Sequence, residues 1–260
     1  MLTNTGDHQI DIDPHQTPAN ASRFDTAADD VFGRIASRYD LLSDLFSLWI
    51  HRTWKRRVAA LIASEPWTKL LDAASGTGDI VLRVLNRSNA NPSRKIVASD
   101  ISPQMLAIAK RRLEQLSQRV ELHVLDAHSM PGVPDDSVDL YSISLGLKIC
   151  NRTAVLREAL RVLKPGGRLI VLEASNVKPQ WLHQTYLSYM SLVMPLIGWL
   201  ATGGDASAYR YLLRGVREFP TAEELAAEIR QLGFDEVSFE RLSLGIVAIH
   251  IARKPKHSSL

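Results

Sequence analysis

From Lys69 to Glu173 the chain repeats one rhythm: a short apolar run, small or polar residues, then a stretch with helical periodicity. The runs are Lys69–Ala73, Lys95–Asp100, Val120–Leu125, Val138–Ser144 and Arg168–Glu173. Between them lie helical segments such as Met105–Leu116 and Thr153–Leu163. Strands alternating with helices of this length predict βαβ crossovers and a doubly wound, mostly parallel α/β sheet. Lys164-Pro-Gly-Gly167 reads as a helix stop and a turn into the next strand, since proline cannot continue a helix and glycine accepts positive φ.

The flanks complete one domain over residues 29–255. Residues 1–28, rich in Asn, Asp, Pro, Gln and Thr, bury too little to fold and predict a mobile tail. Val31, Ile35, Leu41, Leu42, Leu45 and Leu48, then Trp54, Val58, Leu61 and Ile62, recur at helical spacing and predict cap helices over residues 29–66. A Leu-, Met-, Tyr- and Trp-rich insertion over residues 177–218 predicts a helical lid. Thr221 with Glu224 is a capping-box pattern, and Gly233 closes that helix. Val237–Ser243 and Ile246–Ala252, with only Leu244 and Gly245 between them, predict an antiparallel pair at the sheet edge. The result is a seven-stranded sheet whose last strand is reversed.

Composition removes several functions. Among 260 residues, 31 Lys and Arg stand against 28 Asp and Glu, and the resulting +3 supplies no field for nucleic acid. The single cysteine, Cys150, allows neither an internal disulfide nor a Cys-x-x-Cys metal site, and it points to a reducing, cytoplasmic setting. There is no apolar core of a signal peptide near the N-terminus, and no uninterrupted apolar stretch of about 18 residues to span a membrane.

The chemistry concentrates where the strands end. Asp72-Ala-Ala-Ser-Gly76-Thr-Gly78-Asp79 follows the first strand and opens a helix, the position at which a doubly wound sheet binds a nucleotide. Gly76 and Gly78 let backbone approach a ligand, yet Val81 breaks the dinucleotide fingerprint and no Gly-Lys-Ser/Thr makes a phosphate loop. An acid four residues before the first glycine suits a cationic amino-acid end. Asp100 at the second strand's end can accept from ribose hydroxyls, and Asp126 with the small Ala127 can receive an adenine. Three ordered acids on three strand ends predict an adenosine-bearing cofactor, S-adenosylmethionine. From the glycine loop alone, a dinucleotide oxidoreductase is the competing reading.

Val31-Phe-Gly-Arg-Ile-Ala-Ser-Arg-Tyr-Asp40, Leu41-Leu-Ser-Asp44, Asp100-Ile-Ser-Pro-Gln-Met105, Arg161-Val-Leu-Lys-Pro-Gly-Gly167, Tyr209-Arg-Tyr-Leu212, Phe219-Pro220 and Gly245-Ile-Val-Ala-Ile-His250 carry a resemblance. Over roughly residues 30–253 the chain resembles the ubiquinone/menaquinone biosynthesis C-methyltransferases. The resemblance implies a class I fold and cofactor contacts at Thr77, Asp100, Asp126, Ala127 and Ser144, with Ile101 and Met105 from the same second-strand motif. It also implies methylation of a ring carbon of a prenylated quinol, with no metal. Tyr39, Tyr209 and His250 match the family and are candidates for catalysis or for the acceptor pocket, with buried packing as the alternative for each.

One departure falls on the chemistry. The family reads Phe-Gly-hydrophobic-Arg-Asn after the fourth strand, and this chain reads Leu145-Gly146-Leu147-Lys148-Ile149. Lys148 keeps a positive charge able to stabilise a phenolate, without the planar fork of a guanidinium. The chain is therefore expected either to run the family reaction through Lys148 or to methylate another hydrophobic or aromatic acceptor. A third reading is a methyltransferase fold that binds S-adenosylmethionine without transferring the methyl. The apolar insertion, and Trp49, His51, Arg52 and Trp54 with Lys55, Arg56 and Arg57, suggest peripheral contact with a membrane surface. A homodimer is a further expectation, with no residues of this sequence assigned to it.

Overall fold

The computed structural model describes residues 43–44, 47, 49–87, 93–175, 181, 184–193 and 207–256. The expected tail and the first cap helices, up to residue 42, lie outside them, as do parts of the insertion. The helices are α1 (His51–Ala63), α2 (Asp79–Arg87), α3 (Pro103–Leu113), α4 (Arg152–Val162), α5 (Ser207–Glu218) and α6 (Ala222–Gln231). The strands are β1 (Lys69–Ala73), β2 (Lys95–Asp100), β3 (Val120–Val124), β4 (Val138–Ser144), β5 (Leu163–Ala174), β6 (Asp235–Leu242) and β7 (Val247–Arg253).

They form one seven-stranded sheet in the order β3-β2-β1-β4-β5-β7-β6. Strands β1 to β5 are parallel, and β7 runs antiparallel to both β5 and β6. The order reverses between β1 and β4, so the crevice of a doubly wound sheet opens at their carboxyl ends. Alternate strand residues feed two cores. Leu70, Leu140, Ile170 and Leu172 pack with Val58 and Ile62 of α1, Val81 of α2 and Leu106 of α3. Leu71, Tyr141, Leu169 and Val171 pack with Leu156 of α4 and Leu225 and Ile229 of α6. Each fully buried aliphatic side chain contributes about 1.5–3 kcal/mol before entropy is charged against it.

Local chemistry sets the ends. Ser102 caps α3 by accepting from Met105 N–H, with Pro103 in its first turn. Thr221 and Glu224 make the expected capping box of α6. The Lys164–Gly167 motif differs from its sequence reading. It lies within β5 as an irregularity against β4, where the register jumps between Val138 and Leu140. Gly166, at φ +77°, donates its N–H to Lys254 O, which keeps the motif on the sheet instead of in a free turn.

The amino ends of the strands are clamped by Asp139. One of its oxygens accepts from Thr68 N–H at 2.9 Å and Lys69 N–H at 2.8 Å, and the other from Lys164 Nζ at 2.6 Å. Burial alone would raise this carboxyl, but Lys164, Thr68 and the backbone donors outweigh it and hold it well below the usual carboxylate range. Asp139→Ala is expected to lower stability by about 2 kcal/mol in urea at neutral pH. A depressed folded-state value puts the stabilisation above the ordinary carboxylate range, so the gap between variant and wild type should close as pH falls below about 4.

Candidate functional site

The β1 exit folds back on itself through left-handed backbone at Ala74 (φ 49°), Gly76 (φ 56°) and Gly78 (φ 76°). A Cβ on Gly78 would lie 3.1 Å from Leu113 Cδ1 and 3.2 Å from Ala109 Cβ, so glycine there lets α3 close on the loop. Around Gly76 nothing lies within 4 Å of where a Cβ would stand, so the loop is open on that side. Ser75 N–H donates to Ser99 O at 2.9 Å, and Ser75 Oγ to Asp72 O at 2.7 Å. Asp100 joins this loop to the next one, accepting from Gly76 N–H at 2.8 Å and from Ser102 N–H at 2.9 Å.

The acids at the strand ends have different surroundings. Asp72 is 1% exposed; its Oδ1 accepts from Ser142 Oγ at 2.6 Å, while its buried Oδ2 has no partner among the described residues. Burial pushes its carboxyl up to about 7, against the opposing effect of the Ser142 and Ser75 hydroxyls. Asp126 is held by His128, whose backbone N–H donates to Oδ1 at 2.9 Å and whose Nδ1 contacts the same oxygen. His128 Nε2 accepts from Asn151 N–H at 2.9 Å, which assigns the ring proton to Nδ1 and makes it a donor to Asp126. Burial would raise Asp126, and the His128 contacts outweigh that and lower it. Sequence reasoning passed over His128, although the Asp126-x-His128 spacing lets an imidazole reach back to a carboxylate in one turn.

The other cofactor candidates also gather here. Ile101 is 37% exposed after Asp100, while Met105 in α3 and Ala127 after β3 are buried. Thr77 is buried, and its hydroxyl accepts from Arg112 Nη1 at 2.9 Å, so its side chain faces α3. Ser144 ends β4 with a buried Oγ that has no partner among the described residues. Asp79, beyond the loop, binds Lys55 Nζ at 3.0 Å and Arg83 Nε at 3.1 Å, fastening α1 to the mouth of α2.

At the β4 exit, Leu145 adopts φ 59° and Gly146 passes so close to β1 that a Cβ would meet Ala74 Cβ at 2.7 Å. The single turn Leu147–Ile149 follows. Lys148 is 10% exposed in its side chain, and its Nζ binds Leu145 O and Glu173 Oε1, the latter at 3.2 Å. Glu173, fully buried at the end of β5, also accepts from Lys148 N–H at 3.0 Å and Ala174 N–H at 2.8 Å. One carboxylate therefore fixes both the main chain and the ammonium of Lys148. Helix α5 closes over this turn, where a Cβ on Gly215 would stand 3.0 Å from Lys148 O. Sequence reasoning missed Glu173, because a strand-final glutamate carries no local sign of a partner 25 residues earlier.

The structure brings Asp72, Gly76, Gly78, Asp100, Ile101, Asp126, Ala127, Ser144 and Lys148 to the same edge of the sheet. It does not bring His250 there. His250 is 2% exposed on the α6 side of β7, its Nε2 bonded to Ala222 O at 2.8 Å and its ring 5.4 Å from that of Phe239. Burial lowers its imidazole to about 4, so the ring is neutral and packs α6 against the sheet. Tyr39 and the side chain of Tyr209 lie outside the described residues.

Comparison with known proteins agrees with this geometry. The ubiE/COQ5 methyltransferase family profile matches residues 20–254. The ubiquinone/menaquinone biosynthesis C-methyltransferase UbiE of Cereibacter sphaeroides is 40% identical over 223 residues, 85% of this chain and 87% of the relative. The mitochondrial 2-methoxy-6-polyprenyl-1,4-benzoquinol methylase of Schizosaccharomyces pombe is 38% identical over 239 residues, 86% and 78% of the two chains. Among solved structures, the CurJ carbon methyltransferase aligns with a TM-score of 0.61 at 17% identity, covering 89% of this chain and 68% of that one, a likeness of fold. The chain belongs to the ubiE/COQ5 methyltransferase family and is an S-adenosylmethionine-dependent methyltransferase.

Proposed function

We propose that the chain methylates a ring carbon of a prenylated quinol of the demethylmenaquinol or benzoquinol type, with Lys148 as the cation that meets the quinol oxygen. The relatives are named for such reactions. The observation that carries the reading is the Lys148–Glu173 pair at the β4 and β5 ends, beside the crevice where Gly146 passes Ala74.

The residues fit the cofactor. Asp72 Oδ2, buried without a partner, offers a negative charge for its amino-acid end, and the open side of Gly76 leaves room for the chain of atoms beyond. Asp100 is the acceptor for ribose hydroxyls, with Ile101 and Met105 as apolar neighbours; Asp126 and Ala127 are read as the adenine end. Thr77 and Gly78 shape the loop, and the buried Ser144 hydroxyl, without a partner among the described residues, is a further donor at the end of β4. When bound, S-adenosylmethionine supplies a methyl that is already electrophilic, so the protein's work is alignment and charge at the acceptor.

Lys148 has three N–H donors, of which Leu145 O and Glu173 take two. The third is available to an oxygen of the acceptor. A quinol hydroxyl that has given its proton to water is stabilised as phenolate by this ammonium, which raises electron density at the ring carbon. After methyl transfer that carbon gives up its hydrogen to water as a proton, and the ring recovers aromaticity. Glu173 keeps the ammonium in place and supplies its counter-charge.

Two outcomes test these roles. Lys148→Met should lower kcat by about 100-fold or more while cofactor affinity by calorimetry stays within about twofold. Glu173→Gln should slow transfer about tenfold, and the double variant should be no slower than Lys148→Met, because Glu173 acts through Lys148. Normal turnover in Lys148→Met would remove Lys148 from the mechanism. Asp72 gives a pH test. A cation beside its carboxyl favours the ionised form, so cofactor binding releases a proton below pH 7. Affinity should rise with pH by up to roughly tenfold per unit until about pH 7, and Asp72→Asn should flatten that slope. The same raised value means the ligand-free protein loses stability as pH climbs between about 4 and 7. A wild-type affinity independent of pH over that range would contradict the assignment of Asp72.

A further inference from the structure

We propose that the rim where α1 meets the β6–β7 turn is a membrane-docking edge, at which Trp49, Ile50 and Leu244 enter the interfacial layer of an anionic bilayer. The inference rests on the reading above that the acceptor carries a prenyl tail.

The first support is strain that yields exposure. Trp49 has φ 63° and is 54% exposed, and Leu244 has φ 59° and is 76% exposed. Ser243, just before it, has φ 51°. Left-handed backbone is unfavourable for residues with a Cβ, and such strain persists where the fold enforces it and function uses it. Here it presents two large apolar side chains to water, the opposite of what a core requires. Ile50, beside Trp49, is a further 40% exposed.

The second support is place. Trp54 Nε1 donates to Ser243 Oγ at 2.8 Å, which joins α1 to the β6–β7 turn. Ile50 lies one helical turn before Trp54 and Leu244 one residue after Ser243, so the exposed groups share one neighbourhood. Val247, just past the turn, pairs with Ala174, the last residue of β5, so this neighbourhood borders the carboxyl ends of the strands. A lipid-tailed acceptor entering the crevice from a bilayer would cross this side.

The third support is charge. Helix α1 carries Arg52, Lys55, Arg56 and Arg57 and no acid. Lys55 is buried on Asp79, while Arg52 pairs with Asp44 and Arg57 with Glu240, each with its side chain about half exposed. Arg56 is exposed and has no acidic partner among the described residues. Apolar anchors flanked by cations suit the headgroup layer of an anionic membrane, where both contribute to binding.

The test is co-sedimentation of the full chain with phosphatidylcholine vesicles, with and without phosphatidylglycerol. The wild type should bind the anionic vesicles more tightly, and the double variant Trp49→Gly with Leu244→Gly should lose at least about tenfold in affinity. Glycine relaxes both left-handed positions, so the variant's Tm should not fall and lost binding cannot be ascribed to unfolding. Wild-type failure to bind anionic vesicles, or undiminished binding by the variant, overturns the proposal. Loss of binding in Leu192→Asp but not in the glycine variant also overturns it, by assigning docking to the exposed residues of 184–193. Transfer to a short-tailed quinol in solution should be equal in wild type and variant. If the wild type does not methylate that quinol, the substrate reading fails, whatever the vesicles show.

Discussion

Strands β1 and β4 pair in parallel from Leu70 and Leu140 to Ala73 and Ile143, then must part while still in contact. That parting creates the crevice on which everything functional depends. It requires left-handed backbone on both sides, at Ala74 and Leu145, and leaves no room for a Cβ at Gly146. The strained residues stand where the sheet changes direction, the position at which doubly wound sheets hold their ligands.

Around that crevice the protein handles three carboxylates in three ways. Asp72 is buried with one oxygen satisfied by Ser142 and the other without a partner, so a ligand's cation is what would favour its ionised form. Asp126 is held ionised by His128. Glu173 is paired outright with Lys148 and with two backbone donors, a fully bonded buried pair. Breaking such a pair by removing one partner costs much more than the pair itself contributes. The two ends of the site therefore differ in kind: one is open to a ligand's charge, the other is preset to hold a cation where the acceptor's oxygen would come.

Much of this was legible in the chain. The strand–helix alternation fixed the parallel sheet, and the antiparallel pair at its edge followed from the two closely spaced final runs. The glycine loop and the acids at Asp72, Asp100 and Asp126 were readable because each sits at a strand end, a position that local pattern reveals. Lys164–Gly167 was legible only in part: its proline and glycines signal a turn, yet hydrogen bonds to the distant Lys254 hold it on the sheet. Glu173 and the burial of Lys148 were not legible, because their pairing depends on two strands being neighbours. His250 shows the converse, since a motif match says nothing about which face of β7 a side chain occupies. The strain at Trp49 and Leu244 has no sequence signature at all, because any residue type can be forced into it.

The chemistry of the whole site turns on whether this crevice directs a methyl group onto carbon. It is tested most directly by supplying S-adenosylmethionine with an isotope-labelled methyl, together with a prenylated demethylmenaquinol, and locating the label in the product by NMR. The label is expected on a ring carbon adjacent to a quinol oxygen. Label on a quinol oxygen, or none on the quinol while the cofactor is demonstrably bound, would contradict it.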